Sequence, residues 1–429
     1  MKTTFTATGD SFTTRRIPPD YPGGKELAAL INKHDVKFNN LEMTYHCEEG
    51  YPAAFSGGTW AMADPAILDD IQRFGFNLYN TANNHSGDYS HGGILATIRN
   101  LRERNMRFAG TGRNLYEASR AVYLETSECR TALISVSSDF HDSDIAGEQG
   151  PAMQGRPGVN GLRVDTTYYI TREYFDVLQR LTDITKMNSM TEYGMKLGYV
   201  TPSPEGSLNM SGINFRLADE VRVETKPKDD DLKRVIEEIH EAKRQADYVM
   251  VSIHSHAGKN INYIEPAEFM EILAHTCIDE GADAVLGHGP HELRAIEIYK
   301  KKPVFYSLGN FIFQTETVEK QPAEAYLNKG FPMSAKVGEF MDARSSNGKR
   351  GYGILPPVWF SVIPSWTMED GEVKEILLYP VTLGMDLPRS QKGLPRLAED
   401  HHILEYLQQL CDSYRTKIEV ENGIGIIRL

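Results

Sequence analysis

The chain has 429 residues, 40% hydrophobic and 24% charged, an ordinary globular composition that excludes disordered and collagenous classes. Asp and Glu number 59 against 46 Lys and Arg, and the net charge of −13 argues against a fold-wide basic surface for nucleic acid. The start, MKTTFTATGDSF, has no apolar stretch of signal-peptide length, and no run reaches the roughly 18–20 apolar residues of a membrane span. With Cys47, Cys129, Cys277 and Cys411 forming no CxxC pair, a cytoplasmic protein with reduced thiols and no membrane segment is expected.

In chain order, residues 1–140 alternate strand and helix signals. Thr4 to Thr8 is a β-prone run ending in Gly9-Asp10, Lys25 to Lys33 an amphipathic helix, and Val36 to Asn39 leads into Asn40-Leu41-Glu42. Asp64 and Pro65 open a helix as N-cap and first helical residue, and Gly75 stops it. Asn77 to Thr81 is a strand ending in Ala82-Asn83-Asn84-His85, Gly92 to Arg104 a helix, and Arg130 to Val136 a strand. Residues 141–225 break the rhythm with a loop punctuated by Gly147, Gly150, Gly155, Gly158 and Gly161, then aromatic helices and a second loop at 201–212. Such an insertion is expected to form a lid or substrate segment over the site.

The alternation resumes over 226–315. Asp231 to Ala246 is a helix, Tyr248 to Ile253 a strand, Pro266 to Glu280 a helix, and Ala284 to Leu286 and Val304 to Ser307 are strands. Residues 316–429 form a less regular C-terminal extension expected to pack on this core, with strands at Val358 to Ile363 and Glu375 to Leu378 and a helix from His401 to Tyr414. The whole pattern predicts a layered α/β fold.

The chemistry-bearing residues follow the strands, the usual ligand edge of an open α/β sheet. Gly9-Asp10 and Asn40-Leu41-Glu42 are in isolation ordinary strand ends. Asn83-Asn84-His85 offers an amide oxygen for a cation beside an imidazole that can exchange a proton. A buried run then ends in His254-Ser255-His256, and Gly287-His288-Gly289-Pro290-His291 follows another short apolar strand. Placing four of 13 histidines after two such strands points to metal ligation or acid–base work, and imidazole, carboxylate and amide oxygen together suit Zn, Mn or Fe.

The ordered set GD, NLE, ANNH, strand-then-His, G-H-x-P-H and Tyr306-Ser307-Leu308-Gly309-Asn310-Phe311 resembles the CapA family of capsule or poly-γ-glutamate synthesis proteins, over about residues 5–315. The resemblance implies a four-layer αββα sandwich of the calcineurin-like metallophosphatase type, with a divalent-metal site at the strand ends. It implies Asp10, Glu42, Asn84, His254, His288 and His291 as metal ligands, Glu42 in the bridging position, and His85 as proton donor. Two bridged cations would generate hydroxide at neutral pH and polarise a substrate oxygen. The chain departs from the superfamily pattern in three places. Phe12 stands where a ligating His is expected, Ser86 where an acid follows the catalytic His, and Ala257-Gly258-Lys259 where many relatives carry Glu. One ion, two, or none is therefore compatible with the motifs.

Outside this set, Arg156 and Arg163 flank the Gly-rich loop and are candidates to clamp a substrate carboxylate or phosphate, with His256 and Asn83 as further substrate contacts. Asp139 and His141 close a strand beside the insertion and are placed to touch substrate. Three functions from different classes fit these residues. The leading one is a metal-dependent hydrolase or transferase acting on an anionic amide-linked or phosphorylated small molecule, peptide or polyglutamate. A metal-independent peptide epimerase or isomerase would use the same pocket, and a non-catalytic polymer-binding or assembly protein would use neither metal nor acid–base chemistry.

Overall fold

The computed structural model describes residues 2–259 and 262–429. The chain is a mixed α/β protein built on one ten-stranded and one six-stranded sheet. In the ten-stranded sheet, Lys2–Phe12 lies between Val36–Leu41, which continues in parallel to Leu78–Asn80 and Phe108–Ala109, and the antiparallel Phe360–Glu369. The six-stranded sheet runs Ile296–Tyr299, Lys302–Phe305, Ala284–His288, Tyr248–His254, Arg130–Ser137, Val122–Glu125. Its centre is parallel. That explains why all seven residues of Tyr248–His254 are buried: a parallel strand covered on both faces reads as a continuous apolar run.

The two sheets share one core. Phe5, Val36, Phe38 and Leu78 of the larger sheet join Ile134, Val249, Val251, Val285 and Phe305 of the smaller in a single buried cluster. The helices Asp229–Gln245 and Glu268–Asp279 send Val235, Ile239, Phe269 and Leu273 into the same cluster. Asp229, Asp230 and Asp231 in the first turn of Asp229–Gln245, with Lys243 and Arg244 in its last, complement the helix dipole. On the larger sheet, Gly24–Ile31 and Ala66–Gln72 pack Leu27, Ile31, Ile67 and Ile71 into a second cluster with Phe311 and Ile363. Asp64 caps the latter helix by accepting the N–H of Ala66 at 2.8 Å, with Pro65 just before the helix, not within it.

The C-terminal extension packs on the core and also extends its sheet, because Phe360–Glu369 pairs directly with the first strand from Lys2↔Glu369 to Thr6↔Ser365. The insertion, residues 141–225, meets the cavity described below at its first residue, His141. Its Gly-rich part folds against the core, where Gly158–Val159 pairs with Thr111–Gly112. Then Val164–Ile170, Ser207–Met210, Ile213–Leu217 and Arg222–Pro227 form a separate four-stranded sheet with the helices Arg172–Thr185 and Ser189–Lys196. This unit leans on the flanking helix Glu268–Asp279, whose Glu268 accepts the N–H of Thr225 while Thr225 Oγ1 accepts the N–H of Phe269. No helix among the described residues is long and apolar enough to cross a membrane.

Candidate metal centre

Strand register brings the site together. Asp10 lies opposite Asn40 on one side and Asn310 on the other, Asn40 lies opposite Asn80, and His254 lies opposite His288 and Ser137. Glu42 follows the end of Val36–Leu41, and Asn84 and His85 follow Leu78–Asn80. Two glycines permit the close approach. A Cβ on Gly9 would fall 1.9 Å from the carbonyl oxygen of Gly309, which accepts the N–H of Asp10. Gly289, at φ 122°, leaves room for the backbone of Ser255 and delivers His291, itself left-handed at φ 63°.

Asp10 is fully buried. It accepts from Asn40 Nδ2 at 2.7 Å and from the N–H of Gly289 at 3.0 Å, and Asn40 in turn accepts from Asn80 at 2.6 Å. His288 Nδ1 lies 3.7 Å and His291 Nδ1 3.5 Å from its oxygens. Burial alone would raise its pKa, but His291, His288 and Asn40 hold it below the ordinary value. Glu42 is buried without any of this support. Neither of its oxygens has a hydrogen-bond partner among the described residues, and His254 Nε2 and His291 Nε2 stand 3.8 and 3.7 Å from Oε1. Burial first, and then the charges of Asp10, Asp88 and Asp139, push its pKa well up.

The imidazoles are set as lone-pair donors. His254 Nδ1 and His288 Nδ1 share a proton at 2.9 Å, and His288 Nε2 meets Ser252 Oγ at 2.7 Å. With the shared proton on His254, His288 is fully engaged by protein and His254 Nε2 is left as a buried acceptor without a partner. His291 Nδ1 contacts Asn310 Oδ1 at 2.9 Å, which frees Nε2 toward Glu42. Burial lowers all three strand-end imidazoles: His254 well below its usual value, His288 to about 4 and His256 to about 3. All three are therefore neutral imidazoles at pH 7. Three groupings have ligand atoms close enough to hold an ion: Asp10–His254–His288, Glu42–His254–His256 and Asp10–Glu42–His291. Glu42, His254 Nε2, His256 Nε2 and Asn84 Oδ1 all present buried, unpartnered acceptors. That donor set fits a divalent cation, because such atoms are costly to bury with nothing to meet them.

His85 is held differently. Its Nδ1 lies 2.7 Å from Asp88 Oδ2, and Asp88 also accepts the backbone N–H groups of Gly57 at 2.8 Å and Ala61 at 2.7 Å. Asp88 is the carboxylate that faces the His85 ring, so position 88 and not position 86 supplies the acid. Ser86 instead donates to the carbonyl of Thr81 at 2.7 Å, and the turn brings the residue three places after His85 to its ring. Phe12, where a ligating His was expected, packs its ring edge-on against His85 at 5.1 Å.

The site opens into a cavity of about 410 Å³ whose lining includes Phe12, Asn84, His85, His256 and His291. Its walls come from Ser56–Thr59, Asp139 to His141, and Arg344 and Tyr352 of the C-terminal extension; among the described residues none from 142–225 contributes. Asp139 accepts the N–H of His256 at 2.6 Å, and burial pushes its carboxyl up to about 6. The proposed clamp residues lie elsewhere. Arg163 makes a bidentate pair with Asp231 at the start of a helix, and the exposed Arg156 donates to the carbonyl of Ile145, so charge pairing and loop closure have claimed them. Asn83 is held inside the loop: its amide donates to Leu41 O and its oxygen accepts the N–H of His85. The cation on the cavity wall is Arg344, which donates to Gly58 O and forms no ion pair among the described residues.

A family model described as bacterial capsule synthesis protein PGA_cap matches residues 4–315. The chain is 31% identical to the uncharacterized protein y4sH of Sinorhizobium fredii (strain NBRC 101917 / NGR234), over 99% of this chain and 93% of that protein. It is 29% identical to the PGA biosynthesis protein CapA of Bacillus subtilis (strain 168), over 51% of this chain and 54% of the relative. It is 25% identical to the capsule biosynthesis protein CapA of Bacillus anthracis, over 57% and 41%. Asp10, Glu42, Asn84, His85, His254, His288 and His291 fall inside the span of the family model, whereas Arg344 and Tyr352 lie beyond it.

Proposed function

The chain belongs to the bacterial capsule synthesis protein family PGA_cap, and from that membership we propose that it is a metal-dependent hydrolase or transferase acting on an anionic amide-linked or phosphorylated substrate, of which poly-γ-glutamate is the leading class. The observation that carries this reading is the set of buried, unpartnered acceptors facing one another around Glu42. Asp10, Glu42, Asn84, His254 and His291 would hold the cation, with His256 beside them and His288 as a further ligand or as the group that fixes His254. The bound cation would supply Lewis-acid polarisation of a substrate oxygen and an acidified water. With the two sheets sharing a core and helices packed into it, the fold is read as the four-layer αββα sandwich of the metallophosphatases.

The chain's own residues do the rest. Asp88 accepts the His85 Nδ1 proton, fixing the tautomer and leaving Nε2 to exchange a proton with the leaving group. Phe12 dries one side of that ring. Arg344 offers its guanidinium to a substrate carboxylate or phosphate. The test is elemental analysis of protein purified without chelator, with turnover on a generic phosphodiester and on γ-glutamyl peptides. His254→Ala and His288→Ala should lose metal, whereas His85→Ala should keep it with a rate about 10²–10⁴-fold lower.

A second reading, proton abstraction and return on a peptide without metal, draws on Phe12, which removes one imidazole from the ligand set. A wild type that holds no metal and takes solvent deuterium into a peptide α-position would replace the first reading with this one. The absence of both metal and exchange would leave polymer binding or assembly.

A further inference from the structure

The helix Arg172–Thr185 carries one broad apolar face, only part of which is covered. Phe175, Leu178 and Thr182 face its own four-stranded sheet, where Phe175 and Leu178 pack with Ile170, Leu208 and Phe215. On the adjoining flank of that face Tyr174, Val177, Leu181 and Ile184, at steps of three and four residues, are 53%, 56%, 44% and 73% exposed. The next helix, Ser189–Lys196, has no buried residue at all, yet carries Met190 and Tyr193, with Leu197 just past its end, at the same steps. An apolar flank left open on a helix is unusual in a monomer, and an eight-residue helix is marginal in water without packing.

We propose that this helix pair is the surface on which two copies of the chain meet, the same stripes packing on themselves about a twofold axis. Area and charge both point to a second copy. The seven stripe residues and Tyr199 are between 44% and 85% exposed; with roughly 150–250 Å² on each large side chain, they offer on the order of 800 Å² together, about what each partner contributes to a standard stable interface. Residues 172–200 carry Arg172, Arg180, Lys186 and Lys196 against Glu173, Asp176, Asp183 and Glu192, a net charge of zero in a chain of −13. Two copies repel over most of their surface and can approach here. Arg172 and Asp176, and Gln179 and Asp183, already pair along the helix, so the flanking polar groups need no outside partner. A membrane surface or an anionic polymer would call for a basic excess, which this face lacks. The self-matching patch makes the contact isologous, giving a closed dimer and no filament.

Sedimentation equilibrium of the full chain tests this independently of any activity. The wild type should run at twice the chain mass at micromolar concentration. Leu181→Glu with Ile184→Glu, or Met190→Glu with Tyr193→Glu, should weaken association by roughly 100-fold or more, with far-UV circular dichroism matching that of the wild type diluted to its monomer, which separates lost association from lost folding. A wild type that is monomeric at about 100 μM, or paired variants that still dimerise with wild-type affinity, would overturn the proposal. So would a monomer that floats with anionic vesicles and loses flotation in the same variants, which would assign the face to a lipid surface.

Discussion

Glu42→Leu should stabilise the metal-free protein, because the native residue is badly placed for any purpose except meeting a cation. Both carboxyl oxygens are buried with no hydrogen-bond partner among the described residues, and burial and neighbouring carboxylates push the group toward its neutral form. An unsatisfied buried polar atom costs about 1–3 kcal/mol. Two of them cost about 2–6 kcal/mol, from which the shorter but bulkier Leu gives back about 1 kcal/mol in imperfect packing. A net gain of about 1–5 kcal/mol follows, read as a rise in the urea midpoint at unchanged slope. The effect of metal should run the other way. At 100 times its dissociation constant a ligand stabilises the form that binds it by about 2.7 kcal/mol, so added Mn or Zn should raise the wild-type midpoint and leave Glu42→Leu where it was. Glu42→Gln keeps the unpartnered atoms and should show neither the full gain nor the metal response. A metal-free Glu42→Leu protein less stable than the wild type, or equally stabilised by metal, would refute the reasoning.

Further outcomes are expected elsewhere. Asp88→Asn should keep bound metal and lower turnover by about 10²–10⁴-fold, and nitrogen NMR should show His85 losing its preference for the Nδ1–H tautomer; turnover unchanged from the wild type would count against the dyad. Arg344→Met should raise KM for an anionic substrate by about tenfold or more with little change in metal content, and Arg344→Lys should restore only part of it. Asp231 concerns stability in acid. Burial would raise its pKa, but Arg163 and Arg234 hold it below the usual value, so its contribution is present above the unfolded pKa of about 3.9 and is lost as pH falls through the lower folded value. Asp231→Asn should therefore cost about 1.5–3 kcal/mol at pH 7, and the gap to the wild type should narrow as pH falls below the unfolded value in urea titrations.

The residues at strand ends were legible because each motif is local. Asp10, Glu42, His254 and His288 directly follow or close apolar runs whose strand character is set within a few residues, and parallel register then draws the ends together. What failed was long-range. Arg163 reads as a loop cation until Asp231, 68 residues on, is known to hold it. Phe360–Glu369 reads as part of a tail, and only the folded chain reveals its place beside Lys2–Phe12. Arg344 and Tyr352 reach the cavity from irregular backbone with no periodic signal. Asp88 was a different kind of miss. It lies three residues from His85, within range of local reasoning, but only the turn through Ser86 and Gly87 decides which acid faces the ring.

The placement of the ligands has a mechanical consequence. Asp10 and Glu42 come from the ten-stranded sheet, and His254 and His288 from the six-stranded one. Through the middle of the core the two sheets are joined by apolar packing, with Phe5 edge-on to Tyr248 and Phe38 stacked near His288. Dispersion contacts of that kind resist separation but tolerate small sliding, whereas the polar cluster at the strand ends is fixed by short directional bonds such as Gly289 N–H to Asp10. A cation held by groups from both sheets would therefore act as a clasp across the core. Its removal should loosen the strand ends before the apolar middle. Amide exchange would show this as lost protection in Asp10–Phe12 and Gly287–His291 on chelation, with Val249 and Val251 unchanged. Uniform loss of protection across both sheets would mean that the cluster contributes only to global stability and does not govern how the two sheets move against each other.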